Sequence, residues 1–303
     1  MTLEVLSRLP EQATGKPPLL FVHGAWLSAG CWDDHFLPFF AQAGYPAYAV
    51  SLRGHGQSSG SLHFAGMADY VADLAEAVAQ LPAPPVLIGH SMGGGVVLKH
   101  LERHAAPAAI LLGSMPPHGM SHAFLDAWRR HPWRWLQANL SFSTQSLFHT
   151  PDLCREFFFS PDTPDAEIIR SMRGAGGESY RALFDMTLPH WLSPYKVTTP
   201  IHVIGGELDV VIPPRDVEET ARRYGARARI LPGAPHAMMI DARWRAAAEA
   251  IDEWLSRRLS FRKHWRPPPR RPKLTKRRCG VRVDISPGPY DPNGSCPCLR
   301  PWT

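Results

Sequence analysis

Short, uninterrupted runs of apolar residues recur along the chain, with longer amphipathic segments between them. A run of helical period, residues 68–81, places Val71, Leu74 and Val78 on one face with acidic residues between them. Buried strands that alternate with amphipathic helices are typical of a mostly parallel, doubly wound α/β sheet with helices on both faces. The predicted strands lie at residues 2–9, 19–22, 46–52, 85–89, 108–113, 201–205 and 229–231, and further helices at 33–44 and 241–259.

The alternation stops between residues 114 and 199, where short apolar runs are absent and large aromatic residues are frequent. We interpret this segment as a helical cap insertion that lies over the carboxyl ends of the strands, while residues 1–113 and 200–258 form the core domain. Most of its aromatic residues should form the core of the cap, with Trp128 or Phe158 as candidates to line an apolar pocket. These residues are Trp128, Trp133, Trp135, Phe142, Phe148, Phe157, Phe158, Phe159 and Trp191.

The last segment, 259–303, is rich in proline and basic residues and has little hydrophobic periodicity, which predicts a poorly ordered tail. Residues 257–303 hold 13 basic and 2 acidic residues, a net charge of +11, whereas the preceding 256 residues have a net charge of −5. The basic isoelectric point therefore gives no reason to expect nucleic-acid binding by the folded body. An appended arm and an out-of-register translation of a GC-rich gene both fit this composition, and an arm of this charge could bind weakly to an acidic surface.

The cysteines and the N-terminus indicate the compartment. The five cysteines are scattered, and Cys296-Pro-Cys298 lacks a zinc-ligand spacing, so we expect free thiols in a reducing cytoplasm. No basic region followed by an apolar stretch opens the chain, and no run reaches about 18 apolar residues, so neither a signal peptide nor a membrane-spanning helix is predicted. The sequence contains no metal-binding or cofactor-binding motif, and we expect the reaction to need no metal or cofactor.

The most specific motif is Gly89-His90-Ser91-Met92-Gly93, which directly follows a predicted strand and opens a helix. In this context G-x-S-x-G marks a serine held on a sharp strand-to-helix turn. Glycines two positions before and after Ser91 leave the space that such a turn requires. The hydroxyl then projects beside a helix N-terminus, whose partial positive charge favours developing negative charge. Ser91 is therefore the candidate nucleophile.

A serine hydroxyl needs a neighbouring base, and an acid must orient that base. Beyond residue 205 the histidines are His236, in a loop after the last predicted strand, and His264, in the basic tail; His236 is the better candidate. The acid should end a strand between Ser91 and His236. Glu207 and Asp209 both follow the strand at 201–205, and spacing alone does not decide between them.

Together these motifs resemble the α/β-hydrolase superfamily, in particular its capped esterase, lysophospholipase and lipase-like branch. The resemblance spans about residues 19–258, and the Ser91 motif is its most specific part. It implies Asp209 as the acid rather than Glu207, and an oxyanion hole made by the backbone N–H groups of Ala25 and Met92. It is carried by His23-Gly24, Arg53-Gly54-His55-Gly56-Gln57-Ser58, Gly89 to Gly94, Gly205 to Asp209 and Pro235-His236.

The function that this resemblance implies is hydrolysis of a carboxylic ester through an acyl-enzyme, with lipid and lysophospholipid esters as candidates. The aromatic residues of the helical segment suggest a small-molecule ester with a medium or large apolar part as the substrate. Alternatives on the same residues are a C–C bond hydrolase, amidase, peroxidase-like enzyme or lyase, or a non-catalytic binding module. Ser91 disfavours haloalkane dehalogenases and epoxide hydrolases, whose members carry aspartate there. His55 is interpreted as a structural residue of its loop, and His90 as a packing or hydrogen-bonding residue beside the Ser91 turn.

Overall fold

A computed structural model of the protein describes residues 1–141, 143–148, 150–172, 174–189 and 191–260, and only the backbone of residues 145, 146, 259 and 260. Within these ranges a seven-stranded sheet has the order β1-β3-β2-β4-β5-β6-β7. The strand β1 runs antiparallel to β3, and the other neighbours pair in parallel. The strands are β1 Val5–Arg8, β2 Leu19–Val22, β3 Ala47–Val50, β4 Val86–His90, β5 Ala109–Leu112, β6 Ile201–Gly206 and β7 Ala228–Leu231.

Each predicted strand is found. The central strands are recognisable in the sequence because strands buried on both faces form continuous apolar runs. The central strands β2, β4 and β5 are wholly buried. Two apolar clusters cover the two faces of the sheet, one containing Phe21 and Ile88 and the other Leu20 and Leu87. The neighbouring residues of one strand thus point to opposite layers, as expected of a doubly wound α/β sheet.

Helices connect the strands. Those outside the predicted cap are α1 Phe36–Gln42, α2 Met67–Gln80, α3 Met92–Leu101, α9 Pro214–Arg223 and α10 Trp244–Ser260. Between β5 and β6 lie α4 Ser121–Arg130, α5 Pro132–Ser141, α6 Pro151–Phe158, α7 Asp165–Ser171 and α8 Tyr180–Thr187. Short 3₁₀ helices span Ala29–Trp32, Thr144–Phe148 and Pro194–Lys196. The segment that interrupts the strand alternation is therefore helical.

Some predicted positions differ from the structure or lie outside it. The helix α10 contains the backbone of residues 259 and 260, which the predicted boundary assigned to the tail. Residues 261–303, with Cys279, Cys296 and Cys298, lie outside the described residues, as does Phe142. Cys31 and Cys154 are buried free thiols. Among the described residues, no helix combines the length and the apolar character needed to cross a membrane.

Candidate active site

Ser91 occupies the single position between β4 and α3. Its φ of 51° and ψ of −121° are unusual for a residue with a side chain, a geometry that costs about 1–3 kcal/mol and persists only where neighbours enforce it. The enforcing contacts come from β5 and the residues that follow it: Ser91 N–H donates to the Leu112 carbonyl at 3.1 Å, and its own carbonyl accepts from Met115 N–H at 3.0 Å. These backbone hydrogen bonds hold Ser91 in its strained conformation.

The glycines on either side of this turn are required by close approach of backbone. A Cβ on Gly89 would lie 2.5 Å from the Gly93 carbonyl oxygen, and a Cβ on Gly93 would lie 2.3 Å from the carbonyl oxygen of His23. Side chains cannot be accommodated at such distances. The structure therefore explains the glycine spacing of the motif as the sequence predicted.

His236 and Asp209 form a buried pair at the carboxyl edge of the sheet. Nδ1 of His236 lies 2.8 Å from Oδ2 of Asp209. The other carboxylate oxygen accepts the backbone N–H groups of Val211, at 2.9 Å, and Ile212, at 2.7 Å. If the carboxylate oxygen accepts this bond, the proton lies on Nδ1, and the lone pair of the neutral imidazole lies on Nε2. That is the tautomer a general base requires.

Glu207 is placed elsewhere. It is exposed at the turn after β6, where its carboxylate accepts the N–H of Gly233 at 2.8 Å. The geometry thus brings Asp209, and not Glu207, to the imidazole of His236.

Ser91 and His236 line the same cavity. Within the described part of the chain, neither the Ser91 hydroxyl nor Nε2 of His236 has a hydrogen-bond partner. His90 is close to both residues: it directly precedes Ser91 in the chain, and its ring lies 4.8 Å from that of His236. Both reactive groups are therefore open to a molecule bound in this cavity.

The loop after β2 supplies candidate oxyanion donors. Among the described residues, no acceptor is found for the N–H of Ala25, which lines the cavity, or for that of Met92, at the start of α3. Trp26 has a φ of 64°, which turns the loop sharply after Ala25. Such donors must be fixed before the reaction if they are to stabilise an oxyanion.

His23 fixes this loop. Its Nε2 accepts the N–H of Leu52 at 3.0 Å, and Nδ1 donates to the Gly24 carbonyl at 2.8 Å. Burial, together with the nearby His55, lowers the pKa of His23 to about 3. A neutral His23 keeps one nitrogen as an acceptor, so both bonds persist across the ordinary pH range.

His90 is a hydrogen-bonding residue beside the Ser91 turn, as predicted. Its Nε2 donates to the backbone carbonyl of His236 at 3.0 Å. Burial and the neighbouring His236 lower the pKa of His90 well below its usual value. A neutral His90 therefore holds the backbone of the His236 loop without adding a positive charge beside the candidate base.

Gly113, at the end of β5, was not identified from the sequence as a site residue. It has a φ of 49°, and a Cβ there would lie 3.1 Å from Oδ2 of Asp209 and 3.4 Å from Nδ1 of His236. The glycine thus leaves room for the Asp209–His236 hydrogen bond. The sequence signal was available, since a glycine that ends a buried strand at the carboxyl edge needs an explanation.

Asp241 was also missed. This fully buried carboxylate accepts the Ser160 N–H, the Ser160 hydroxyl and the Thr163 hydroxyl through one oxygen, at 2.7–3.0 Å, and the Arg243 N–H through the other. Nearby, Ala237 N–H donates to the Phe158 carbonyl at 2.8 Å. The end of α6 is thereby bonded to the loop that carries His236. No local motif marks these partners, which lie about 80 positions apart.

The cavity around Ser91 is lined mainly by apolar side chains, many of them from α4, α5 and α6. Phe158 lines it, as predicted, and its ring lies 5.9 Å from that of His236. The expectation for Trp128 is wrong: this residue is half-exposed on α4 and does not line the cavity. The apolar lining comprises Ala25, Trp26, Leu27, Met120, Ala123, Phe124, Ala127, Trp135, Phe148, Phe157, Phe158, Met172, Met186, Val210, Val211, Ala237 and Ile240.

Comparison with known proteins gives the family. The sequence profile of the alpha/beta hydrolase family matches residues 19–250. The chain belongs to this family. This α/β hydrolase is 29% identical over 246 residues to a non-heme haloperoxidase of Rhodococcus erythropolis, and 26% identical over 239 residues to the bifunctional esterase/perhydrolase DCH of Acinetobacter calcoaceticus. Each alignment covers 73% of this chain and 86% of the relative.

Solved structures agree with the fold. An esterase from Thermogutta terrifontis superposes with a TM-score of 0.66 at 20% identity, covering 84% of this chain and 93% of that one. A monoacylglycerol lipase from Paleococcus ferrophilus superposes with a TM-score of 0.65 at 18% identity, covering 85% and 100%. Similarity at this level of identity shows the α/β-hydrolase fold alone.

Proposed function

We propose that this α/β hydrolase cleaves carboxylic esters through an acyl-enzyme on Ser91. The observation that carries the proposal is one cavity that holds Ser91 on a strained turn together with His236, whose Nδ1 is bonded to the buried Asp209. Esterase and lipase relatives support the reaction class. Asp209 is proposed as the orienting acid and His236 as the base.

In the first half-reaction, Nε2 of His236 takes the Ser91 proton while the serine oxygen attacks the ester carbonyl carbon. The N–H groups of Ala25 and Met92 stabilise the resulting oxyanion. The carbonyl re-forms as the bond to the alcohol breaks, and His236 returns its proton to that alcohol. Water activated by His236 then attacks the acyl-serine, which releases the carboxylic acid and restores Ser91.

Two features of the site support these roles. The buried Asp209 carboxylate stabilises the imidazolium that forms in each half-reaction, and its other oxygen stays engaged by two backbone N–H groups. The free N–H of Met92 belongs to the first turn of α3, where the helix dipole adds a favourable field for the oxyanion. Loss of one oxyanion donor typically lowers turnover by about 100- to 1,000-fold.

We propose an ester with a medium or large apolar part as the substrate. The cavity wall is dominated by aromatic and aliphatic side chains, which favour an acyl or alcohol chain over a charged group. In this interpretation the segment 114–199 acts as a cap, because α4, α5 and α6 supply much of that wall.

A second candidate function is perhydrolysis, favoured by the relatives named as a haloperoxidase and as an esterase/perhydrolase. In that reaction hydrogen peroxide, instead of water, attacks the acyl-serine. A peracid is released and the Ser91 hydroxyl is restored. Peracid formation from an acetate ester and hydrogen peroxide measures it directly. The same Ser91 acyl-enzyme serves both reactions.

The test is labelling with a fluorophosphonate probe, which reacts with activated serines. We expect wild-type protein to be labelled and Ser91→Ala to remain unlabelled, with nitrophenyl esters hydrolysed by the former only. Ser114→Ala is the control, because Ser114 is buried nearby but donates its hydroxyl to the Met115 carbonyl at 3.2 Å. Folded wild-type protein that resists the probe would favour a non-catalytic binding module. Labelling without hydrolysis of any ester would favour an amidase, C–C bond hydrolase or lyase.

A further inference from the structure

The helices α4 and α5 expose a stripe of large apolar side chains. Leu125 and Trp128 on α4 are 41% and 51% exposed, and Trp133, Leu136 and Leu140 on α5 are 79%, 47% and 74% exposed. Their spacings of three, and of three and four, place each set on one face of its helix. Such exposed stripes are unusual on a monomer's surface and mark interaction sites. We name these five residues the α4–α5 stripe.

The same two helices form part of the wall of the Ser91 cavity. Ala123, Phe124 and Ala127 of α4 and Trp135 of α5 line it, whereas the stripe residues do not. The charged residues Asp126 and Arg130 of α4 also line the cavity, whereas the stripe forms a separate apolar face directed toward solvent. A partner bound on the stripe would lie directly outside the cavity.

The charges of the two helices favour an anionic partner. They carry three arginines, Arg129, Arg130 and Arg134, and one acidic residue, Asp126. Arg130 also lies 3.4 Å from Glu156 of α6, so three cations face two carboxylates and the net charge is positive. Arg129 is 63% exposed and lies 3.6 Å from Asp126. An ion pair as exposed as this one contributes little to the stability of the protein. Tryptophan and leucine beside arginine form the combination that inserts into the headgroup region of an anionic bilayer.

We propose that the α4–α5 stripe docks this protein on an anionic lipid surface. Trp128 and Trp133 insert at the interface, and the exposed Arg129 contacts a lipid phosphate. This docking needs no chemistry at Ser91, so it can be tested independently of the proposed esterase activity.

The experiment is cosedimentation of the full chain with large vesicles of phosphatidylcholine, with and without phosphatidylglycerol, in the Ser91→Ala background so that no lipid is hydrolysed. The double variant Trp128→Ser/Trp133→Ser should lose about tenfold or more in partitioning onto the anionic vesicles. Leu136→Ser/Leu140→Ser should weaken it in the same direction. The matched control is Phe64→Ser/Tyr195→Ser, which removes aromatic side chains that are 82% and 83% exposed outside these helices and should leave partitioning unchanged.

The charge contribution has its own matched pair. Arg129→Gln should lower partitioning about fivefold on anionic vesicles only, an effect that added salt screens. Arg215→Gln is the control, since Arg215 is 76% exposed and also lies 3.6 Å from an aspartate, Asp216. The basic segment 261–303 is present in every variant and control, so all of them are compared against the same background.

The proposal is overturned if the tryptophan variant partitions like wild type, or if it loses no more than the Phe64/Tyr195 control. Sedimentation velocity without lipid addresses self-association. A dimer that the tryptophan variant abolishes, with unchanged vesicle binding, would reassign the stripe to contact with a second copy of the chain and would also overturn the proposal.

Discussion

His55 and Glu178 are joined by a buried hydrogen bond of 3.1 Å between Nε2 and a carboxylate oxygen, although 123 positions separate them along the chain. His55 lies in the loop after β3, and Glu178 lies just before α8, in the helical segment. Tyr70 OH donates to the other Glu178 oxygen at 2.6 Å, and the His55 Nδ1 donates to the Arg53 carbonyl. The ring of His23 lies 4.9 Å from that of His55. The pair ties the helical segment to the core.

This pair predicts a specific pH dependence of stability. Burial acts to lower the pKa of His55, but the Glu178 carboxylate and the hydrogen bonds outweigh it, so the pKa is raised above its usual value. Between the unfolded pKa of about 6.5 and the higher folded pKa, the native state holds the extra proton, so stability falls as pH rises. Glu178→Gln should cost roughly 3 kcal/mol at pH 6 and less at pH 9, measured by urea unfolding.

The matched control is Glu156→Gln. Glu156 lies 2.9 Å from Nε2 of His131, but both side chains are partly exposed, so the pair contributes little to stability. An equal loss in the two variants, or a Glu178→Gln loss that grows with pH, would show that the buried pair does not act as described.

Gly113→Ala should impair catalysis more than stability. Its φ of 49° strains any side chain by about 1–2 kcal/mol, and the new Cβ would press on the Asp209–His236 hydrogen bond. We expect kcat to fall about 100-fold, since misplacement of catalytic groups by about 1 Å has effects of that size. Gly225→Ala supplies the same backbone strain, with a φ of 61° and open space around its Cβ. Equal kcat values for the two variants would remove Gly113 from this role.

Asp241→Asn should disturb the His236 loop. The Asp241 carboxylate accepts all four of its hydrogen bonds. An amide NH₂ in place of either oxygen would therefore face at least one N–H or O–H donor and could not accept its bond. The expected loss is about 1–3 kcal/mol of stability, together with a fall in kcat of about tenfold. The control Asp162→Asn removes an exposed carboxylate that binds Arg243 and so joins the same two segments. Loss of stability with wild-type kcat would make Asp241 structural only.

The lining of the cavity predicts how the length of the substrate's acyl chain affects the rate of hydrolysis. Ala127→Phe on α4 would occupy space beside Phe124 and Trp135, so kcat/KM for long-chain nitrophenyl esters should fall about tenfold or more while the acetate ester is hydrolysed as before. Ala79→Phe places the same side chain on the exposed part of α2 and should change neither. A uniform fall for all esters would place the acyl chain elsewhere.

Much of this fold could be predicted because buried parallel strands leave a local signature. The run at 86–88 followed by Gly89 to Gly93 specifies a strand, a turn and a helix from adjacent residues, and the ends of parallel strands meet at one edge. The sequence therefore predicts His236 and an acid, Glu207 or Asp209, beside Ser91, and the choice of Asp209 comes from the family resemblance.

The remaining contacts have no local signature. Glu178 and His55, or Asp241 and Ser160, have ordinary neighbours in the sequence, and only the packing of the helical segment on the sheet brings them together. The aromatic residues of that segment are ambiguous for the same reason: Phe158 lines the cavity and Trp133 faces solvent, although both are aromatic residues of short helices in the same segment.

The most direct measurement is the mass of the intact protein during turnover. A nitrophenyl ester, quenched in acid within the first turnovers, should give a population heavier by the acyl group, and digestion should locate that group on Ser91. Ser91→Ala should show no added mass, and His236→Ala should accumulate little because Ser91 would lack its base. An acyl group on another residue, or ester hydrolysis that persists in Ser91→Ala, would contradict the proposed mechanism.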